Sequence, residues 1–461
     1  MKFYNREQEL ELMDTLYNNK PSMIVLTGKR RVGKTELIRQ FMKDRDSIYF
    51  FVDSNKSIEI LMQEFTSILK ESLDLPDYIK LETPEQFLDF LVNHDKNLVV
   101  AIDEFQRFSK IYPSFIDQLQ KYWDLKGENS NLFLIISGSS IGMIRKIFIE
   151  DNAPLFKRAD NLLTLKPFTV KEVFEMLDDM GIRDFDEKLN LYFLFGGTVY
   201  YYRLFEKYQC SGFHDALEKL IFNDLAPLRD EVRDILIEEF GKEHSTYYEI
   251  VSAISQGKCS LTEISDMTHV SLNSLSHYFH DLTELLGVVE HKIPVTDTKG
   301  KSKHGKYFLT ENFFRFYGYF LYPQLSLYKA GYYKPLLNKV QKEWKRFTGD
   351  IFESVMRDLI TEDIIDSYSK VGPWWNRRGD EIDIVAFDEQ NKKMLAVEVK
   401  NTELDENETR NILNSLSEKV KLVKGSSNMQ IQLGVAAKQI ENRELISDEG
   451  VVFWEMEDFL V

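Results

Sequence analysis

Residues Met23 to Thr35 read MIVLTGKRRVGKT, a short apolar strand, a glycine-bracketed loop and the start of a helix. Gly28, Gly33, Lys34 and Thr35 satisfy every fixed position of the pattern G-x-x-x-x-G-K-[ST]. Glycines let the backbone curl until successive N–H groups point inward at an anion, and the following helix adds its positive end. The loop Gly28, Lys29, Arg30, Arg31, Val32, Gly33 is therefore expected to cradle phosphates. Lys34 reaches the β- and γ-phosphates, and Thr35 offers its hydroxyl to Mg²⁺. The amphipathic run ELIRQFMKD that follows is the helix this motif requires.

Asn97 to Phe105, NLVVAIDEF, reads as a buried parallel strand ending in two carboxylates. α/β sheets bind ligands at the carboxyl ends of their strands, so Asp103 is expected to serve Mg²⁺ and Glu104 to polarise the attacking water. A lone strand ending in acids is commonplace; its pairing with the phosphate loop gives it meaning. A further strand, Leu132 to Ile136, leads into SGSS, which makes Ser137 and Ser139 candidate γ-phosphate sensors or plain turn residues.

The 461 residues suggest about three domains. A hydrophobic fraction of 43% permits filled cores and argues against a disordered chain. Cys210 and Cys259 have neither metal-ligand nor disulfide-framework spacing, which fits a reducing cytoplasm. MKFYNREQEL carries no apolar signal region. No apolar run approaches the roughly 20 residues needed to span a bilayer. The net charge of −17 excludes a chain-wide polyanion surface, so any nucleic-acid contact is local.

From residue 1 to 167, helices alternate with strands, one of them Ser47 to Val52, as in a parallel sheet covered on both faces. Residues 168–240 read as a helical lid broken at Gly196-Gly197, and 241–310 as a winged helix-turn-helix with its turn near His269 to Ser271. The wing loop would hold Lys299, Lys301, Lys303 and Lys306. The second helix of that pair has Asn273, His277 and His280 but no Arg or Lys, so contact with another domain or protein is favoured over DNA reading. Linker helices occupy 311–345. In 346–461, EIDIVAF (Glu381 to Phe387) and MLAVEVK (Met394 to Lys400) alternate as a hairpin, placing Glu398 and Lys400 on one face within reach of Asp383. A helix from about Phe347 to Thr361 offers Glu353. Carboxylates such as Asp383 and Glu398 can fix a divalent ion, and the Lys400 ammonium can stabilise a phosphorane. The plainer reading is an edge hairpin with surface charges, and Trp374-Trp375 is expected to pack rather than stack on bases.

The whole chain resembles the archaeal and bacterial signal-transduction ATPases of the STAND class, allied to AAA+ proteins. FYNREQEL is similar to their N-terminal element, with Arg6, Glu7 and Glu9 matching and Asn5 in place of glycine. The resemblance implies that this element lies near the nucleotide base. APLFKR resembles a family PLYGR element, which makes Arg158 a candidate γ-phosphate-sensing residue, in its own subunit or a neighbour's. GGTVYYY is similar to the lid element G-G-x-P-x-Y, with Val199 where proline is usual. IFESVMRDLI, WW, EID and EVK follow the order of a PD-(D/E)XK nuclease-like domain with Glu353, Asp383, Glu398 and Lys400. The expected fold is α/β: a P-loop parallel-sheet ATPase core, a helical lid, a winged helix-turn-helix and a C-terminal α/β restriction-endonuclease-like domain. Two functions compete. One is an ATP-hydrolysing, Mg²⁺-using switch that controls a metal-dependent nuclease acting on DNA or RNA. The other is a switch that binds a protein or nucleic-acid partner without cutting it. Assembly as a homo-oligomer is compatible with either, and a membrane is not expected.

Overall fold

The computed structural model describes residues 2–298, 300, 302, 304–446 and 450–460. The chain divides into two compact units: Met1–Phe168 with Gly197–Arg203 and His280–Gly287, and Thr169–Gly196 with Leu204–Phe279 and Val288–Val461. The boundaries drawn from sequence at 240/241, 310/311 and 345/346 all fall inside the second unit.

The first unit is built on strands β1 (Ser22–Thr27), β2 (Ser47–Phe51), β3 (Leu98–Asp103), β4 (Leu132–Gly138) and β5 (Asn161–Thr164). They form one parallel sheet in the order β2-β3-β4-β1-β5. β1, β3 and β4 are buried along their whole length, which is why they read as unbroken apolar runs. Alternation at period two sends Met23 and Val25 of β1 into the layer with Phe50, Phe65 and Phe87. Ile24 and Leu26 enter the opposite layer with Leu37, Ile38 and Phe41. Each such fully buried side chain contributes roughly 1.5–3 kcal/mol. β5 was not foreseen, because four residues against a single neighbouring strand are too few to show a period. Two helices, Ile58–Leu73 and Pro84–Val92, stand where one was expected between β2 and β3; Thr83 caps the second by accepting from the Gln86 N–H.

The order decides where a ligand can sit. The chain leaves β1 for the far edge at β2, returns through β3 to β4 beside β1, and then crosses to β5 on β1's other side. The crevice at such a reversal opens at the carboxyl ends of the strands. The loop that follows β1 is the glycine-bracketed one.

In the second unit, the helix Leu261–Thr268 begins on a Ser260–Glu263 capping box and ends on His269 in the left-handed conformation. The helix Leu272–His280 follows the turn, and β6 (Val289–Lys292) pairs antiparallel with β7 (Lys306–Leu309). Lys299, Lys301 and Lys303 lie outside the described residues. Lys306 opens β7 rather than sitting in the loop, with its ammonium 3.6 Å from Glu381 and 4.7 Å from the centre of the Trp375 ring. One helix of 32 residues, Tyr333–Ile364, runs straight through the expected boundary at 345/346. Leu336, Val340, Phe347, Ile351, Met356 and Ile360 are buried along it, with half-buried Trp344 spanning the gap between Val340 and Phe347, so linker and domain start are one element.

The C-terminal sheet comprises β8 (Lys370–Trp375), β9 (Glu381–Asp388), β10 (Lys393–Leu404), β11 (Gln430–Ile440) and β12 (Val451–Glu455), in the order β12-β11-β10-β9-β8. β8, β9 and β10 are antiparallel neighbours; β11 and β12 continue parallel to β10 through the helix Glu406–Val420. Trp374 and Trp375 are buried, as expected. Among the described residues no helix is long and apolar enough to cross a membrane.

Candidate functional site

The glycine positions of the loop are forced. Gly28 has φ +148°, and a Cβ there would stand 2.5 Å from the Leu165 carbonyl oxygen where β5 ends. Gly33, at φ +100°, caps the helix Lys34–Met42, so the loop delivers its N–H groups at a helix start. Lys34 is buried and folds back, with Nζ donating to the carbonyl oxygens of Gly28 (2.7 Å) and Lys29 (2.9 Å). These donations are ones that phosphate oxygens can take over.

Thr35 Oγ1 donates to Asp103 Oδ2 at 3.0 Å, so the helix start and the end of β3 meet across the site. The Tyr49 hydroxyl donates to the same oxygen at 2.5 Å, and the Glu104 N–H donates to Oδ1 at 2.9 Å. Burial, then the Asp103 charge, push the Tyr49 phenol well up. A hydroxyl and one carboxylate beside a phosphate pocket suit Mg²⁺, which keeps several waters and takes its other ligands from phosphate. Glu104, in the left-handed conformation at φ +56°, accepts from Gln106 Nε2 (2.6 Å) and Ser139 Oγ (3.0 Å), with Arg107 Nε 3.6 Å away. Gln106 is buried over Gly138, where any Cβ would meet its Oε1 at 2.4 Å.

Part of this set lines one cleft of about 340 Å³. Arg30, Arg31, Val32, Gly33, Lys34, Thr35, Asp103, Glu104 and Ser139 are on its wall. Arg6 is there too, donating to Glu9 Oε1 (3.0 Å) and the Lys166 carbonyl (2.6 Å) with its guanidinium 4.6 Å from the Phe168 ring centre. Asn5 holds φ +52°, a conformation asparagine tolerates in place of glycine. Val199 and Tyr200 close one side; the Arg31 guanidinium lies 4.0 Å from the Tyr200 ring centre, and Arg203 pairs with Glu36 at 2.8 Å. Four sequence candidates are not on the cleft wall: Gly28 and Lys29, whose carbonyls accept from Lys34, and Ser137 and Arg158. Ser137 is fully buried on β4, and its hydroxyl has no hydrogen-bond partner among the described residues. Arg158 makes a two-pronged pair with Asp124, its Nε and Nη2 each 3.0 Å from a carboxylate oxygen.

In the second unit, Glu353, Asp383, Glu398 and Lys400 do come together. Arg357 Nε donates to the Asp383 carbonyl (3.0 Å) and Asn401 Nδ2 to Thr348 Oγ1 (3.1 Å), which pins the helix Tyr333–Ile364 across β9 and β10. A pairing irregularity follows Lys400, bending β10 beside the cluster. The Val399 N–H donates to Asp383 Oδ2 at 2.7 Å. Burial, then the Glu398 charge, raise Asp383; burial, then Asp383 and Asp350, raise Glu353 further. Glu398 is committed elsewhere. Lys400 Nζ stands 2.9 Å from Oε1, and Lys419 from the crossover helix reaches both of its oxygens at 3.2 Å. Among the described residues no three Asp, Glu, His or Cys side chains stand close enough together to hold a metal ion.

Comparisons with known proteins find an ATPase domain in the first part of the chain. A family described as an ATPase domain predominantly from Archaea matches residues 3–204. A second, described as archaeal and bacterial proteins of unknown function, matches residues 317–412. An uncharacterised protein of Methanocaldococcus jannaschii is 30% identical over 463 positions, spanning 99% of this chain and 100% of its own. The chain belongs to this family of archaeal P-loop ATPases. An uncharacterised ATP-binding protein of Pyrococcus abyssi is similar at 25% identity over 229 residues, 44% of this chain and 70% of its own. A solved Walker-type ATPase of Pyrococcus abyssi shares the fold over 68% of this chain and 96% of its own, with a TM-score of 0.54 at 19% identity.

Sequence reasoning missed three residues at these sites. Gln106 lies just beyond the acidic pair in a tight turn that no motif marks. Lys419 needed the crossover helix to be docked on β10. Tyr49 looked like one more aromatic of SIYFF, and only the β2–β3 register turns its hydroxyl into a partner of Asp103.

Proposed function

We propose that this chain is an ATP-hydrolysing, Mg²⁺-using switch governing a nuclease-like C-terminal domain that acts on DNA or RNA. The observation that carries the first half is the 3.0 Å bond joining Thr35 to Asp103 across the phosphate loop. In this reading Thr35 and Asp103 would hold the ion, which would supply charge stabilisation at the phosphates, Lys34 would exchange the loop carbonyls for phosphate oxygens, and Glu104 would orient the attacking water. Arg6 and the N-terminal segment would lie near ATP's base, as the resemblance to the STAND class implies.

Support for the second half is the meander β8-β9-β10 followed by a helix and parallel β11, with Asp383, Glu398 and Lys400 grouped beside Glu353. Buried carboxylates that raise one another's proton affinity are relieved by a divalent cation. A second reading, binding of a protein or nucleic-acid partner without cleavage, is favoured by one observation: Glu398 is neutralised by two lysines. The test is incubation of the intact protein with plasmid, linear and single-stranded DNA and RNA, in Mg²⁺ or Mn²⁺, with and without ATP. Cleavage that Asp383→Asn and Lys400→Ala abolish, with ATP turnover retained, supports the nuclease. No cleavage of any substrate leaves the binding reading.

A further inference from the structure

Asp103 has one more donor than the motif calls for. In the parallel register of β2 and β3, Tyr49 stands opposite Ala101 and Phe51 opposite Asp103. Tyr49 and Asp103 thus share a face two residues apart. The small Ala101 side chain leaves room for the ring to lie along the sheet toward the strand ends, against the layer of Leu37, Ile38 and Phe41. Its hydroxyl arrives at Asp103 Oδ2, the oxygen that Thr35 also reaches.

We infer that Tyr49 is a positioning residue for the divalent ion, holding the Asp103 carboxylate in place while Thr35 turns its oxygen to the metal. This rests on the ATP–Mg²⁺ reading of the same site. Thr35 alone would have to serve two partners, the ion through its oxygen lone pair and Asp103 through its hydrogen. Mg²⁺ demands a near-ideal octahedron and tolerates little drift in the group that orders its shell. The Glu104 N–H fixes Oδ1, and Tyr49 fixes Oδ2, so the carboxylate is held at both oxygens. Partners that orient metal ligands typically account for about 10–100-fold in metal affinity.

The experiment is a Mg²⁺ titration of the thermal stabilisation that adenylyl imidodiphosphate, a slowly hydrolysed ATP analogue, gives the full chain. Tyr49→Phe keeps the ring and removes the donor. Its stabilisation in EDTA is expected to equal that of the wild type, while the Mg²⁺ concentration at half effect rises about tenfold or more. In an Asp103→Asn background the same substitution is expected to add almost nothing, since Tyr49 acts through Asp103. If Tyr49→Phe folds poorly, Tyr49→Met, also apolar and unable to donate, carries the same expectation. An unchanged or lowered Mg²⁺ midpoint overturns the role of Tyr49 and leaves the ATP reading intact. Wild type that the analogue never stabilises, at any Mg²⁺ concentration, overturns both.

Discussion

Asp103 ends a strand of the first sheet and Asp383 stands near the start of one of the second, but their neighbours differ in kind. Asp103 accepts from a backbone N–H and two hydroxyls, and Glu104 beside it accepts from an amide and a serine. Asp383 accepts from one backbone N–H and faces two further carboxylates, Glu353 and Glu398, in buried surroundings. Neutral donors orient a carboxylate, ready for an ion that arrives with its own phosphate ligands. Crowded carboxylates store repulsion that either a proton or a cation relieves. The first site is therefore complete before its ligand comes, whereas the second has Glu398 neutralised by lysines and Glu353 holding its proton unusually tightly.

The largest effect separates binding from turnover in the first site. Glu104→Gln keeps the shape and most of the hydrogen bonding, so ATP binding should persist while steady-state hydrolysis falls by about 10²–10⁴-fold. Unchanged turnover would break the contrast, because Glu104 would then be as much a structural acid as its partners suggest.

The second prediction probes stored repulsion. The Glu353 carboxyl is raised from 4.5 to about 8 in the fold. The folded chain therefore binds that proton more tightly than the unfolded chain, and this stability is present below about 4.5 and lost as pH rises through about 8. Glu353→Gln, neutral at every pH, should be more thermostable than wild type at pH 8.5 and nearly equal to it at pH 5. In a domain of this size, each 1 kcal/mol corresponds to roughly 2–4 °C. An identical difference at both pH values would mean that Glu353 is not crowded.

Much of the first site was legible because its chemistry fixes spacing along the chain. A loop must curl at Gly28 and Gly33 and present Lys34 and Thr35 next, and a both-faces-buried strand must be apolar up to Asp103. What lay hidden depends on pairing between distant strands. β5 is too short for a pattern, Tyr49 needs the β2–β3 register, and Lys419 needs a helix docked across β10. The C-terminal set was found as E-x-K on one face of a strand, yet the sequence did not reveal that Glu398 would turn to the lysines. The 32-residue helix hid the boundary at 345/346, since linker and domain share one apolar stripe.

The smallest effect concerns Arg158. Its pair with Asp124 is partly exposed, so Arg158→Ala should cost about 0–1 kcal/mol in stability. ATP affinity of the isolated chain should be unchanged in a fluorescence-anisotropy titration. A loss of turnover that grows with protein concentration would instead assign Arg158 to a neighbouring copy's site.

The most direct test of the phosphate loop is calorimetric titration of ATP–Mg²⁺ into wild type and Lys34→Ala. Lys34 Nζ leaves the carbonyls of Gly28 and Lys29 for the phosphates in this account. The variant should therefore bind more weakly by about 1.5–3 kcal/mol, the usual contribution of a hydrogen bond to a charged group. Equal affinity of the two proteins, or no binding by the wild type, would contradict it.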